Sequence, residues 1–417
     1  MYFSTSIGVA FAVYICIIVS MTTQTPSQKR VLIVGGGFGG LKTALELCKN
    51  NDFAITLLSD QPTFRYYPAL YHTATGGLYA QSNIALTDIV NTGRVQVVQG
   101  SAKTLDRANR TIITTDGKKL GYEVLVLAMG VVTNYFGIKG MAEHSFGIKS
   151  WEQIQAFKNH LHGLLNAPDP NLNFVIVGAG PTGIELAGAL PEYLKKIMKN
   201  HGLRDKKPTI TIIEAAPRLL PRSPEKISRA VQKRLQKLGI ELKLGMAVEG
   251  ADEHSLTVSG QKMPTSTVVW TAGTANHPFF KENNFALTDR GKVEVDEFLR
   301  AEEAMYVIGD NANTQFSGLA QTALRDGIFA AEDIQRRAAG KAPQAYKPKK
   351  PISVIPAGNG WAAVEWGNQK FTGTIGWWLR EAADWVGFHD LQPWWKASEQ
   401  WMTEFGEQED CPTCQKK

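Results

Sequence analysis

Residues 31–40, VLIVGGGFGG, constrain the fold of this chain more than any other stretch. An apolar run leads directly into Gly35, Gly37 and Gly40, which have the GxGxxG spacing, and a helix-like segment follows. In such a unit the first glycine permits a tight turn, the second lets the backbone approach a pyrophosphate, and the third lets helix and strand pack. Because strand and helix flank the glycines, the spacing indicates a dinucleotide site.

A second copy of this unit occupies residues 174–183, FVIVGAGPTG. There an apolar strand enters Gly178, Gly180 and Gly183, and the helix-like segment IELAGALPEYLKKIM follows. The alternative, that both copies are merely structural glycine turns, explains less, because each copy has its strand, glycines and helix in the same order. We therefore expect this chain to bind two dinucleotides.

Each unit is followed by a strand that ends near an acid, which in such sites binds a ribose hydroxyl. The first strand ends at Ser59 and Asp60, about 20 residues after the last glycine, as the fingerprint requires. The second ends at Glu214, which a basic insertion places later. Since Glu214 would repel a 2′-phosphate, it favours NADH over NADPH, although the nearby Arg218 weakens that preference.

Further strand ends predict how the domains are divided. Ala128 and Gly130 end one buried strand, Gly273 ends another, and MYVIGD (305–310) places Gly309 and Asp310 before a helix-like segment. The last of these indicates that the chain returns to its first domain. We expect a first dinucleotide domain over 29–149 and 285–342, a second over 150–284, and a separate tail over 343–417. Within the first domain, residues 64–79 are predicted to form an aromatic, Gly-rich loop suited to a flat ring and called here the aromatic segment.

Composition excludes several function classes. The 417 residues carry a net charge of only +6, with scattered Lys and Arg, so no nucleic-acid partner is expected. Four cysteines give no disulfide framework, and the eight dispersed histidines give no metal site. The CPTC pair at 411–414 is either a polar terminus or a redox or half-zinc element.

Two stretches indicate a membrane. Residues 1–28 lack charge until Lys29, and about 20 residues of helix would span a bilayer; alternatively, Met21 is the initiator. Eight of the ten tryptophans follow Gly360. Helical spacing over 375–386 separates apolar residues from charged ones, as in a helix that lies in a membrane–water boundary. The alternative is a helix packed on the protein's own core or on a second subunit. In this helix the apolar residues are Ile375, Trp378, Leu379, Ala382, Trp385 and Val386, and the charged residues are Arg380, Glu381 and Asp384.

These motifs together resemble the type II NADH:quinone oxidoreductases, single-subunit flavoproteins with two dinucleotide-binding domains. The likeness covers about residues 30–390, including GAGPTGIELAG (178–188), IIEAAPRLLP (212–221), VVWTAG (268–273), AQTALRDG (320–327) and YYPALYHTATGG (66–77). It implies an α/β fold of two Rossmann-like, glutathione-reductase-like domains with a C-terminal amphipathic helical membrane-binding region.

The resemblance also implies cofactors and residues that bind them. FAD would be bound by the first domain, at Gly35, Gly37, Phe38, Gly39, Gly40, Ser59, Asp60, Ala128, Gly130, Gly309, Asp310, Ala320 and Gln321. NADH would be bound by the second, at Gly178, Gly180, Pro181, Thr182, Gly183, Glu185, Glu214 and Gly273. Glu185 matches the family's glutamate near the flavin ring, for which a proton-handling role has been proposed, although the helix dipole alone would favour an acid there. Gln321 is retained from the family's quinone motif.

The implied activity is FAD-dependent NADH dehydrogenation without proton pumping. Hydride passes from NADH to FAD, and two electrons then pass to a membrane quinone. The implied location is the cytoplasmic face of the cell membrane, with the protein either peripheral or anchored by one N-terminal helix. The implied partners are a quinone, the lipid surface and, as an open alternative, a second copy of the chain in a homodimer.

The sequence departs from the family pattern in three places. Ser59 stands where the ribose-binding acid would align, one residue before Asp60. Arg325 and Asp326 replace a pair of glutamines in the quinone motif, and Tyr67 replaces a glutamine before Pro68. These changes leave open a protein acceptor such as ferredoxin, or a redox-sensing module that binds NADH. A disulfide, peroxide or sulfide enzyme is not expected, because residues 60–80 contain no cysteine.

Overall fold

A computed structural model describes residues 28–90, 93–403 and 406–409. Residues 1–27 of the apolar leader and the CPTC pair, for both of which two interpretations were stated above, lie outside the described residues. The strands are β1 (Lys29–Val34), β2 (Phe53–Ser59), β3 (Thr63–Arg65), β4 (Asn83–Ala85), β5 (Val95–Gln99), β6 (Ala102–Asp106), β7 (Thr111–Thr114), β8 (Lys119–Gly121), β9 (Val124–Leu127), β10 (Val131–Thr133), β11 (Asn173–Val177), β12 (Thr209–Glu214), β13 (Glu241–Leu244), β14 (Val248–Ala251), β15 (Ser255–Val258), β16 (Gln261–Pro264), β17 (Thr267–Trp270), β18 (Thr274–Asn276), β19 (Arg300–Glu302), β20 (Met305–Val307), β21 (Ser353–Pro356), β22 (Ala362–Trp366) and β23 (Gln369–Gly373). The α-helices are α1 (Phe38–Leu47), α2 (Leu70–Ala74), α3 (Tyr79–Ser82), α4 (Leu86–Ile89), α5 (Trp151–Leu165), α6 (Pro181–Asn200), α7 (Glu225–Lys237), α8 (Pro278–Glu282), α9 (Ala320–Ala338), α10 (Thr374–His389) and α11 (Trp394–Met402).

A six-stranded sheet is built from two segments that are far apart in sequence. Its order is β19–β20–β9–β1–β2–β5, with β19 antiparallel at the edge and the other strands parallel. The parallel strands are nearly all apolar and buried, as expected for a sheet covered on both faces. Gly327 lets α9 lie close to α1, because a side chain there would be only 2.5 Å from the carbonyl oxygen of Gly39.

A four-stranded parallel sheet, in the order β13–β12–β11–β17, lies between residues 173 and 270. Helix α6 follows β11 directly and buries Ile184, Leu190 and Leu194 in the core of this unit. The chain enters and leaves the unit through β10 and β18, which pair as an antiparallel ribbon. The sequence prediction of an α/β fold with two dinucleotide-type sheets is confirmed.

The C-terminal region adds the small sheet β21–β22–β23 and helices α10 and α11. The helix predicted over 375–386 is confirmed as α10, but its orientation is unusual. Arg380, Glu381 and Asp384 are buried, whereas Ile375 and Trp378 are 63% and 69% exposed. The alternative that this apolar face packs on the protein's own core is therefore wrong for these two side chains. The exposed face continues on α11, where Trp394 and Trp395 are also exposed.

The aromatic segment is more regular than the sequence predicted. Instead of a loop throughout, it contains part of β3, a 3₁₀ turn at Tyr67–Ala69, α2, and the start of α3. The regular structure arises because Phe64 and Tyr66 pack beside Phe38, with the Phe38 and Phe64 ring centroids 4.9 Å apart. Gly76 and Gly77, the two glycines of this segment, lie outside its helices.

Candidate functional site

The first fingerprint has the geometry of an open phosphate-binding turn. Gly35 has a φ of +117°, and a side chain there would collide with the Ala128 carbonyl at the end of β9. A side chain at Gly40 would collide with the Gly35 carbonyl, whereas one at Gly37 would meet nothing within 4 Å. Gly37 caps α1 without any side-chain hydrogen bond. The first amides of α1 therefore face open space that suits an anion.

The end of β2 separates the two candidate ribose residues. Ser59 is buried, and its hydroxyl donates to the Gln61 carbonyl at 2.8 Å. A side chain on Gly36 would lie 2.6 Å from the Ser59 Oγ. Asp60 is exposed and forms an ion pair with Arg65 at 3.6 Å. Ser59 thus lies against the glycine turn, while Asp60 is directed to Arg65.

Gly309 and Asp310 follow β20 at the junction of α1 and α9. The Gly309 amide donates to the Asp326 carboxylate at 2.9 Å. A side chain on Gly39 would lie only 3.1 Å from the Ile308 side chain, so the glycine allows this close approach. Burial raises the pKa of Asp310, and the ammonium of Lys292, which donates to the Asp310 carbonyl, opposes this rise. Asp310 is therefore a carboxylate held in a largely enclosed position.

Asn311 connects the strand end at Gly130 to the ribbon. Its fully buried amide donates to the Gly130 carbonyl at 2.6 Å and accepts from the Gly130 amide at 2.9 Å. The same group donates to Asn276 Oδ1 at 2.6 Å. Sequence reasoning missed this residue, although its place directly after Gly309 and Asp310 was a usable signal. Asn311 fixes the point where the chain leaves the first sheet.

The second fingerprint repeats the first. Gly178 has a φ of +107° and approaches Ala272, and a side chain on Gly183 would collide with the Gly178 carbonyl. As at Gly37, a side chain on Gly180 would meet nothing within 4 Å. Gly180 caps α6 without a side-chain hydrogen bond. Pro181 occupies the first turn, where a missing amide costs nothing, and Thr182 is exposed. Gly273 packs against the linker at Asn134 and Phe136.

Glu214 ends β12 with both carboxylate oxygens committed to backbone amides. One oxygen accepts from Ala179 at 2.7 Å, and the other accepts from Ala216 at 2.8 Å. Arg218, expected to weaken the charge of Glu214, instead donates to the carbonyls of Leu220 and Ser223. The negative charge therefore sits directly at the glycine turn, without the guanidinium as a partner.

Glu185 lies on the first turn of α6 and faces the charged side of α10. Part of its side chain remains exposed, whereas its carboxylate is enclosed by protein, and burial raises its pKa to about 8. The groups that act on its carboxylate besides burial are the charges of Arg380 and Asp384. The nearby Arg380 already pairs with Glu381 and Asp384, each at 2.9 Å. A single guanidinium faces three carboxyl groups here, so a neutral Glu185 is the favoured state.

Tyr66 joins the aromatic segment to the same charged cluster. Its hydroxyl donates to Asp384 at 3.0 Å, and its ring lies 4.2 Å from that of Phe388. Burial raises the pKa of Asp384, while Arg380 and Tyr66 oppose the rise. The neighbouring Tyr67 is 46% exposed and has Asp310 among the charged groups around its hydroxyl. The departure at Tyr67 thus faces the first dinucleotide site.

The altered quinone motif at the start of α9 contacts the C-terminal region. The Gln321 amide pairs with the backbone of Ile352, accepting at 3.0 Å and donating at 3.4 Å. Ala320 begins the helix, whose cap at Leu319 makes no side-chain bond. Arg325 donates to the Lys349 carbonyl at 2.7 Å. Both charged replacements, Arg325 and Asp326, thus bind main-chain groups.

Other reactive groups are few in the described ranges. Cys48 is the free cysteine there, its thiol donates to the Leu45 carbonyl, and burial raises its pKa, so it has no thiolate character. Within residues 28–90, 93–403 and 406–409, no helix is both long and apolar enough to cross a bilayer.

Comparison with known proteins agrees with this geometry. Residues 29–327 match the model of the family described as pyridine nucleotide-disulphide oxidoreductase. A type II NADH:quinone oxidoreductase from Mycobacterium tuberculosis is 29% identical over 395 residues, covering 86% of this chain and 84% of that protein. The structure of NDH2 from Plasmodium falciparum with NADH superposes with a TM-score of 0.81 at 17% identity, covering 91% of this chain and 97% of that one. The sulfide:quinone oxidoreductase of Aquifex aeolicus gives 0.74 at 20% identity, covering 89% and 92%.

Proposed function

This chain belongs to the pyridine nucleotide-disulphide oxidoreductase family, and we propose that within it the protein is a type II NADH:quinone oxidoreductase. The observation that carries the proposal is the pairing of two open glycine turns with Glu185, whose enclosed carboxylate lies near Arg380 and Asp384 of α10. The proposed division is FAD binding by 29–149 and 285–342, NADH binding by 150–284, and membrane contact by the tail.

The residues of the first site fit FAD. The open turn at Gly37 and the first amides of α1 suit its pyrophosphate, and the buried Asp310 carboxylate suits a polyol hydroxyl. Ser59, rather than Asp60, lies next to the glycine turn, so we assign the ribose contact to Ser59. When bound, FAD supplies the carrier that accepts a hydride from NADH and gives two electrons to the acceptor.

The second site favours NADH. The Glu214 carboxylate accepts hydrogen bonds from the amides of Ala179 and Ala216. These bonds hold its charge beside Gly178, at the turn where a ribose would bind. Arg218 is committed to its own turn and cannot neutralise a 2′-phosphate there without losing its carbonyl contacts. The contacts of Arg218 therefore support a stronger NADH preference than the sequence alone indicated.

Glu185 is proposed to supply a proton to the acceptor. Reducing a quinone to a quinol consumes two protons, and a carboxyl group that is neutral near pH 7 can donate one. Burial raises the pKa of Glu185 and so keeps it protonated near pH 7. The nearby Arg380 guanidinium stabilises the carboxylate that remains after the proton is donated. Gln321 contributes indirectly, by pairing with Ile352 at the start of the C-terminal region.

Membrane contact is proposed for the exposed face of α10 and α11. Trp378, Trp394 and Trp395 point away from the core, and tryptophan prefers the membrane–water boundary. Ile375 is exposed on α10 as well, and clustered exposed apolar side chains often mark an interaction surface. The face suits a lipid surface from which a quinone could arrive at Glu185.

An anaerobic titration tests the proposal. NADH added to the detergent-purified protein should bleach the flavin band, and a soluble quinone should restore it rapidly. Glu185→Gln should bleach as fast as the parent but recover more slowly, by roughly a hundredfold if the proton donor is lost. Absence of bleaching would refute the NADH site, and bleaching without recovery would refute quinone as the acceptor and favour a protein such as ferredoxin.

A further inference from the structure

The last described residues, Gly406–Glu409, are held in place by two parts of the molecule at once. Their backbone joins the aromatic segment, since Gln408 donates to the Gly76 carbonyl at 2.8 Å. The Gln408 side chain accepts from the Tyr79 amide at 3.0 Å. Glu407 forms an isolated antiparallel bridge with Gly77. This four-residue stretch therefore extends the aromatic segment like a short added strand.

On its other side, the stretch enters a charged pocket between α5 and α6. The Glu409 carboxylate lies 2.7 Å from His162 Nε2 and 3.7 Å from the Lys158 ammonium, and it accepts from the Tyr193 hydroxyl at 3.2 Å. Lys158 also donates to the Gln408 carbonyl at 2.9 Å. His162 and Lys158 have only 2% and 4% of their side chains exposed.

This pocket is built for a carboxylate. If Glu409 were absent, a buried ammonium would lose its counter-charge and a buried imidazole would lose one hydrogen-bond partner, which is costly in a low-dielectric interior. His162 Nδ1 is in turn 2.9 Å from His201, whose other ring nitrogen is 2.9 Å from Asn166 Oδ1. The paired groups hold the pKa of Glu409 below its ordinary value despite burial. Oε1 of Glu409 thus takes part in the contacts with both His162 and Tyr193, and Oε2 lies near the Lys158 ammonium.

We propose that Gly406–Glu409 is an interdomain strap that holds the aromatic segment against α5 and α6. We further propose that Glu409 is a positioning residue for the acceptor step, a part of the inference that rests on the proposed function. The strap contacts the aromatic segment just after α2, at Gly76 and Gly77. Helix α2 has only five residues, which are too few to form a stable helix alone. Tyr66 and Tyr67, at the other end of that segment, face Asp384 and the first dinucleotide site.

The strap follows α11 in sequence, and α11 contacts the residues that come after the aromatic segment. Gln400 donates to the Ala80 carbonyl, and Lys396 donates to the Asp88 carbonyl at 3.1 Å. The exposed tryptophans of α11 and the strap are therefore parts of one continuous stretch. The hydrogen bonds given above for the strap and α11 go to residues 76–88, α5 and α6, and not to the glycine turn at Gly178 or to Glu214, so we expect hydride delivery not to depend on them.

Hydrogen exchange of the full-length protein with FAD bound tests the strap. In Glu409→Ala, exchange of the Tyr79 amide, which donates to the Gln408 side chain, and of the Gln408 amide, which donates to the Gly76 carbonyl, should accelerate at least about tenfold, because both bonds are released. Lys158→Met, on the other side of the contact, should act in the same direction. The matched control is Glu407→Gln in the same strap, whose exposed pair with Lys196 is worth little, and exchange should stay within about twofold.

Unchanged exchange in Glu409→Ala would overturn the strap. Should that variant fail to fold, Glu409→Gln keeps an acceptor oxygen for Tyr193 but removes the charge, and it should accelerate exchange by a smaller factor that must still exceed the control. The positioning role predicts an increased KM for quinone with an unchanged rate of anaerobic bleaching by NADH. Faster exchange with unaltered quinone kinetics would overturn the positioning role alone. A parent protein that bleaches without reducing quinone would refute the proposed function, while the exchange result still decides the strap.

Discussion

Glu185→Gln gives the sharpest test of the buried acid. Burial raises its pKa from 4.5 to about 8. At about 1.4 kcal/mol for each tenfold change in proton affinity, this corresponds to a cost of roughly 3 to 5 kcal/mol when the group must ionise in the folded protein. Glutamine resembles the protonated acid in shape and stays neutral, so it should avoid that cost at every pH.

The sign of the effect follows from the two states. Below pH 4.5 the acid is protonated in both the folded and unfolded chain, so parent and variant should have similar stability. Between pH 4.5 and about 8 only the unfolded chain loses the proton, and the parent's stability falls with rising pH relative to the variant. Above about pH 8 the difference should stay constant at its full value.

Denaturant unfolding of the FAD-free protein at pH 5, 7 and 9 measures this difference. Glu192→Gln is the matched control, because Glu192 lies exposed on the same helix, α6. The control should track the parent at all three pH values. If Glu185→Gln also tracks the parent, with parallel stabilities from pH 5 to pH 9, the reasoning about burial is refuted.

Three further predictions concern other parts of the molecule. Glu214→Gln should raise the ratio of kcat/KM for NADPH to that for NADH by about tenfold, since it removes repulsion of a 2′-phosphate; an unchanged ratio contradicts the ribose contact. Asn311→Ala should lower the free energy of unfolding by about 2 to 4 kcal/mol in denaturant, because it leaves the Gly130 groups unpaired, whereas the exposed Asn313→Ala should cost under about 0.5 kcal/mol. Trp378→Ala should weaken co-sedimentation with anionic vesicles by roughly tenfold, while Trp377→Ala, which loses its contact with a buried arginine, should leave it unchanged; equal effects contradict a membrane-facing α10.

The glycine turns were predictable from the sequence because their chemistry is local. A strand, a GxGxxG turn and a helix follow one another within a few residues, and the positive φ at Gly35 and Gly178 is what that spacing requires. The confirmed helices and buried strands likewise follow from short-range periodicity. The roles assigned to Ser59, Asp60 and Glu185 stay predictions.

The orientation of α10 could not be predicted, because an amphipathic pattern defines two faces but not which one is buried. Charged residues are usually outside, yet here Arg380 and Asp384 pair at i and i+4, which makes their burial tolerable. The role of Asp326 depended on an amide from another segment, Gly309. The strap depends on contacts between residues hundreds of positions apart, such as Lys158 and Gln408, and no local pattern reports these.

The placement of β20 has a consequence for how this protein is made. β20 pairs with β9, although about 180 residues separate them and the whole four-stranded sheet lies between. During synthesis the inserted unit can therefore complete its sheet while the first one still lacks β20 and α9. Until those elements leave the ribosome, the edge of β9 is unpaired and the apolar face of α1 lacks its cover. We expect the nascent chain to be most vulnerable to aggregation and to need chaperones during this interval, with the second unit folding before the first.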